Sequence, residues 1–118
     1  MRIADEVRRA LVQRCRSRRT RKTRFVDDAP TKWMPWTVRD PSRPHTVFTE
    51  DRAWTFVADA LEAGTDVDVI TLKKPAGKKG YVMVLQGHGL VRIYVKLQLG
   101  SDCVNGRSFH ESRSGHQD

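Results

Sequence analysis

Leu90-Val91-Arg92-Ile93-Tyr94-Val95-Lys96-Leu97-Gln98-Leu99 puts an aliphatic side chain at every odd position from Val91 to Leu99, with Arg, Tyr, Lys and Gln at the even positions between them. Strand side chains alternate between two faces, so the pattern predicts a half-buried β-strand with one aliphatic and one polar side. Further strand candidates lie at 81–86 (YVMVLQ) and about 103–110 (CVNGRSFH), with Gly87-His88-Gly89 and Gly100-Ser101-Asp102 suited to the turns between them. The aliphatic row needs a cover, and two amphipathic stretches upstream can supply one. Thr49 reads as an N-cap, Glu50 and Asp51 fill a first helical turn, and Ala53, Trp54, Phe56, Val57, Ala60 and Leu61 form a stripe that Gly64 closes. Ile3, Val7, Ala10, Leu11 and Cys15 recur at helical spacing over about 3–18. The expected fold is α+β: helices on one face of a small three- or four-stranded antiparallel sheet, with a basic N-terminal helix or arm.

Two stretches are less definite. Residues 66–72 (DVDVITL) fit either a strand or a short helix capped by Asp66. Residues 25–48 contain Pro30, Pro35, Pro41 and Pro44 and cannot stay regular for long. Trp33 and Trp36 in that stretch can stack on bases, although such rings more often pin a loop to a core. The expected organisation is a basic helix or arm at 1–24, an α+β domain at 25–112 and a disordered tail at 113–118.

The chain has 118 residues, enough for one domain with a modest core, and its net charge of +8 is concentrated. Residues 1–24 hold ten Arg or Lys against two acids, whereas the rest of the chain balances twelve of each. Such a run repels itself unless a polyanion is near, and nucleic acid is the commonest one. An acidic protein partner and a solubilising tail are the other readings. Apolar runs fall far short of the ~20 residues of a membrane span, and Met1–Glu6 lacks a signal-peptide stretch, so a cytoplasmic protein with no membrane partner is expected. Cys15 and Cys103 are too few and too far apart for a disulfide framework or zinc knuckle, and Cys15 falls on the apolar stripe. His45, His88, His110 and His116 have no metal-ligand spacing, and Pro75–Gly80 (PAGKKG) is not a phosphate-binding P-loop. Neither a metal nor a cofactor is expected. Ser108 and His110 should share a strand face, but no triad acid or nucleophile elbow accompanies them.

The polar row itself is selective. Arg92, Tyr94, Lys96 and Gln98 comprise two cations, a phenol and an amide, with no acid. Lys73, Lys74, Lys78 and Lys79 in the 73–80 loop ahead of the strands, and Arg107 or His110 on the last strand, can reach the same region. Cations hold a phosphate and its developing charge, while phenol, ammonium or imidazole can move protons. Alternating Arg and Lys also discourage edge-to-edge aggregation, so an ordinary wet face is the competing reading.

Ile93–Ser112 (IYVKLQLGSDCVNGRSFHES) resembles the C-terminal sheet of MqsR-type toxins, within the RelE-like group of bacterial messenger-RNA interferases. The matching features are Tyr94-x-Lys96 on a strand, a short turn, and a strand ending in Ser108-Phe109 before a polar position. The likeness covers about 81–112, roughly a quarter of the chain, and the basic N-terminal arm has no counterpart in it. It implies a RelE-like domain at 25–112 in which a sheet backed by helices cuts RNA without metal. The ribose 2′-hydroxyl attacks the adjacent phosphate, leaving a 2′,3′-cyclic phosphate and a free 5′-hydroxyl. Tyr94 matches the strand tyrosine implicated in that catalysis, and His110 stands where the family often has Lys. The resemblance also implies a cognate antitoxin and RNA, free or ribosome-bound, as partners.

On this reading Tyr94, His110 and Lys96 are catalytic. Arg92, Gln98, Arg107, Lys73, Lys74, Lys78, Lys79, Arg18, Arg19 and Arg21 contact RNA. It requires Tyr94 to lie off the hydrophobic interior, on the same side as His110. The alternatives are a non-catalytic nucleic-acid-binding module and a protein-interaction subunit with a basic arm. Removing residues 1–24 should abolish binding by the former while leaving an enzyme's chemistry intact.

Overall fold

The computed structural model describes residues 3–23, 32–73 and 77–112. Helix α1 (Asp5–Arg16) carries Asp5 and Glu6 in its first turn and Arg14 and Arg16 in its last, the polarity that complements a helix dipole. It is shorter than the 3–18 periodicity suggests because Ala4 and Ser17 both have extended backbones. Past Ser17 the chain turns, with the Thr20 hydroxyl donating to the carbonyls of Arg14 and Ser17 at 2.7 and 3.1 Å. Helix α2 (Glu50–Glu62) begins as expected, Thr49 Oγ1 accepting from the Arg52 N–H at 3.2 Å. It ends with Gly64 at φ 89°, where the Gly64 N–H donates to Leu61 and the Thr65 N–H to Ala60. That pair of bonds satisfies carbonyls the last turn leaves open, and the positive φ is why glycine closes the helix.

The strands are β1 (Arg21–Lys22), β2 (Lys32–Trp33), β3 (Arg39–Asp40), β4 (Arg43–Val47), β5 (Asp68–Thr71), β6 (Lys79–Gln86), β7 (Arg92–Leu99) and β8 (Val104–Ser112). β5 through β8 form an antiparallel meander, so 66–72 resolves to a strand and Asp66 caps no helix. The purely antiparallel expectation needs correction. β1 and β2 both add in parallel to the outer edge of β8, at Val104–Asn105 and at Ser108–Phe109. Two backbone strips covering one exposed edge satisfy its hydrogen bonds without a long extra strand. β3 and β4 form a separate hairpin.

The aliphatic row behaves as its alternation predicts. Ile93, Val95 and Leu97 join Tyr81, Met83, Leu85, Val104 and Phe109 against Leu11 and Cys15 of α1 and Ala53, Trp54, Val57 and Leu61 of α2. Trp33 stacks on Trp54 at 4.4 Å and meets Phe109 edge-on, so this indole pins its segment to the core. Both indole N–H groups donate to the Glu50 carboxylate, Trp54 at 2.7 Å and Trp33 at 3.1 Å, so neither polar atom lacks a partner. Trp36 does the opposite and is 60% exposed. Burial pushes the Cys15 thiol up to about 12 against the opposing pull of Arg21 and Arg16, which makes it a packing group rather than a nucleophile.

The basic N-terminal segment is woven into this layer. Arg8 donates to Leu61 O at 2.8 Å, and Arg14 donates to Gly100 O and Ser101 O at 2.8 and 3.1 Å, closing the β7–β8 turn. Arg16 pairs with Asp59 and Glu62, and Arg18 and Arg21 both pair with Asp51. Arg21 also donates to Cys15 O at 2.7 Å and lies over the Trp54 ring. Removing this segment would therefore uncover the core, so its deletion cannot distinguish a binder from an enzyme. Among the described residues no helix is long and apolar enough to cross a membrane.

Candidate active site on the sheet face opposite the helices

The sheet face turned away from the helices is built by the even-numbered row of β7. Tyr94 faces Val84 on β6 and His110 on β8. Lys96 faces Val82 and Ser108, while Arg92 faces Gln86 and Ser112. Tyr94 and Gln98 are buried, each 9% exposed, and Ser108 is 3% exposed, so this face is only partly open to solvent. The register nevertheless sets Tyr94 on the opposite side of the sheet from Ile93 and Val95, outside the main core cluster. Its ring stacks on that of His110, centroids 5.3 Å apart and planes 28° from parallel. A direct cross-strand pair has Cβ atoms about 5 Å apart, so the register itself brings these two rings together.

His110 Nδ1 lies 3.0 Å from Glu111 O. A carbonyl only accepts, so this bond requires hydrogen on Nδ1 and leaves the lone pair of a neutral ring on Nε2.

The β8 strand departs from simple alternation at one place. Lys96 pairs with Ser108 but Leu97 pairs with Gly106, so Arg107 is an extra residue in the ladder. A bulge of this kind re-aims a side chain. Period-two counting puts Arg107 opposite Ser108 and His110. The bulge instead brings its guanidinium to the polar face, where Nη1 donates to Gln98 Oε1 at 2.8 Å. Gly106 makes the bulge possible on the core side, because a Cβ there would lie 2.5 Å from Trp33 Cε3. Among the described residues of β6, β7 and β8, this face carries Arg92, Lys96, Arg107 and His110 and no acid. The nearest carboxylate in register is Asp68, opposite Val82 and two strands from β7.

The other expected contacts divide. Lys78 and Lys79 are exposed where β6 begins, and Lys73 is exposed just past β5, at the Gln98 end of the sheet rather than beside Tyr94. Lys74 and residues 113–118 lie outside the described residues. Arg18 and Arg21 face α2 and Asp51, not the polar face, and Arg19 is exposed on the turn between α1 and β1. A cleft of about 500 Å³ lies beside that contact, lined by Arg18, Arg21, Thr23, Thr49, Glu50, Asp51 and Trp54. Two of its lining groups are carboxylates and none belongs to the polar face, which makes it a poor seat for a phosphate. Glu50 and Trp54 are four apart on α2, the spacing of helical neighbours, but spacing gives no hint that Trp33 joins them or that Arg107 meets Gln98. Only Gly106 before Arg107 signals a bulge, since glycine inside a strand often marks one.

No known family model matches the chain, and neither a curated protein nor a solved structure matches it.

Proposed function

We propose that the protein is a metal-independent endoribonuclease of the RelE-like toxin type, acting in the cytoplasm and restrained by a cognate antitoxin. What supports this reading is the Tyr94–His110 pair: a phenol and an imidazole stacked at 5.3 Å on a face where the described residues of β6, β7 and β8 supply no acid, with Lys96 next on the same side of β7. His110 Nε2 takes the proton from a ribose 2′-hydroxyl. The new O2′–P bond forms as P–O5′ breaks, and the phenol of Tyr94 protonates the departing 5′-oxygen. Lys96 and Arg92 hold the non-bridging oxygens as charge develops, and Arg107 and Gln98 receive the adjoining nucleotide. The tyrosinate then recovers a proton from the imidazolium.

A binder driven by the basic arm has less support, because Arg14, Arg16, Arg18 and Arg21 already meet carbonyls or carboxylates of the fold. Single-stranded RNA incubated with the protein in EDTA should yield 2′,3′-cyclic phosphate ends. Tyr94→Phe and His110→Ala should each slow cleavage on the order of 10²–10⁴-fold with unchanged circular dichroism. Undiminished cleavage in both variants would remove the assignment.

A further inference from the structure

The hairpin of β3 and β4 takes no part in the chemistry above, and its surface is unusual. Trp36, in the 3-10 turn Pro35–Thr37 that leads into it, is 60% exposed, whereas Trp33 and Trp54 are buried at 3% and 1%. Arg39 is paired across the hairpin with Val47, itself 48% exposed, and the two alternate with buried Val38 and Phe48. Arg43 and His45 are exposed on β4. The one acid between Trp36 and Val47 is Asp40, which is fully buried and held by a two-pronged contact from Arg52 at 3.0 and 3.3 Å and by Ser42. The hairpin is thus anchored from beneath and presents an indole and cations outward. Among the described residues neither Arg39 nor Arg43 meets a carboxylate. The segment leading into the ribbon reaches the β8 edge: Met34, two residues before Trp36, donates its N–H to Phe109 O at 3.0 Å, and His110 is the next residue of β8.

We infer that this hairpin is a second contact for single-stranded RNA, with Trp36 stacking on a base and Arg39 and Arg43 meeting phosphates of the strand that crosses the β8 edge. An indole face accepts any unpaired base, and cations beside it track the backbone, which is the pairing single-strand binders use. The inference rests on RNA as the substrate of the polar face and adds where the flanking nucleotides lie.

Because the other two tryptophans are buried, acrylamide-quenchable emission reports Trp36. A short oligodeoxyuridylate, which lacks the 2′-hydroxyl and cannot be cut, should protect that emission, and a duplex of equal length should not. Trp36→Ala should weaken its binding about tenfold, with Trp36→Phe restoring most of the loss. The double variant Arg39→Gln/Arg43→Gln should flatten the salt dependence of log K by about 1.4. Unchanged affinity in both variants would overturn the inference. So would protection by polyglutamate equal to that by the oligonucleotide, or a dimer that Trp36→Ala dissolves. The two readings separate cleanly. If RNA is cut but Trp36→Ala leaves KM unaltered, the hairpin role fails alone. If Trp36 is protected and no RNA is cut, the nuclease fails alone.

Discussion

Asp40 shows how a single residue fixes a surface it does not reach. Its carboxylate is out of water, and burial alone would raise its pKa. The Arg52 guanidinium and the two Ser42 donors outweigh that effect and hold it at about 2. The folded value lies below the ordinary one, so the stabilisation is complete above about pH 4 and disappears as pH falls towards 2. It amounts to on the order of 2 kcal/mol. Thermal melts between pH 2 and pH 5 should show that loss in the wild type and a much smaller one in Asp40→Asn. At neutral pH that variant should be less stable by about 3 kcal/mol, since it leaves Arg52 without its counter-charge. Equal acid sensitivity in the two proteins would disprove the linkage. Asp40 in the sequence reads as an ordinary turn residue before Pro41, because neither its burial nor Arg52, twelve positions on, is written locally.

At the level of elements, the β8 bulge is the feature on which the site's shape depends. Alternation along β7 is visible in its sequence, and both helices announce their faces and α2 its caps. A bulge shifts the count on one strand only, and the pull that favours it comes from across the sheet. Trp33, stacked on Trp54 and bonded to Glu50, occupies the space where any side chain at position 106 would point. Gly106→Ala should therefore cost about 2–3 kcal/mol through overpacking, read as a lower urea midpoint with the slope preserved. It should also displace Arg107 from Gln98, and so weaken RNA capture more than it slows the chemical step. A midpoint equal to wild type would show that the indole can move aside. The parallel strips β1 and β2 were equally hidden, because two-residue strands carry no periodicity.

For the whole molecule, the question is what the concentrated positive charge does. Composition alone points outward, to a polyanion. The fold turns much of it inward: Arg8 and Arg14 meet carbonyls at an element's end, and Arg16, Arg18 and Arg21 tie α1 and β1 to acids of α2. Exposed pairs of this kind are worth little singly, but here they accompany burial of Leu11 and Cys15. A chain lacking residues 1–16 should bind a hydrophobic dye and lose its cooperative melt, rather than remain folded with weaker RNA affinity. A native-like melt from that truncation would return the segment to the status of a detachable arm.

The sequence by itself determined that the aliphatic row of β7 faces the core, where α2 starts and stops, and that Tyr94 and His110 lie on strands. These follow from periodicity and capping, which act over a few neighbouring residues. Only the tertiary structure decided that Tyr94 and His110 are direct partners, that Arg107 joins their face, that Trp33 is buried while Trp36 is not, and that the N-terminal arginines are bonded within the fold. Each of those depends on which distant groups share a desolvated space, and register, bulges and ion pairs are settled there rather than along the chain.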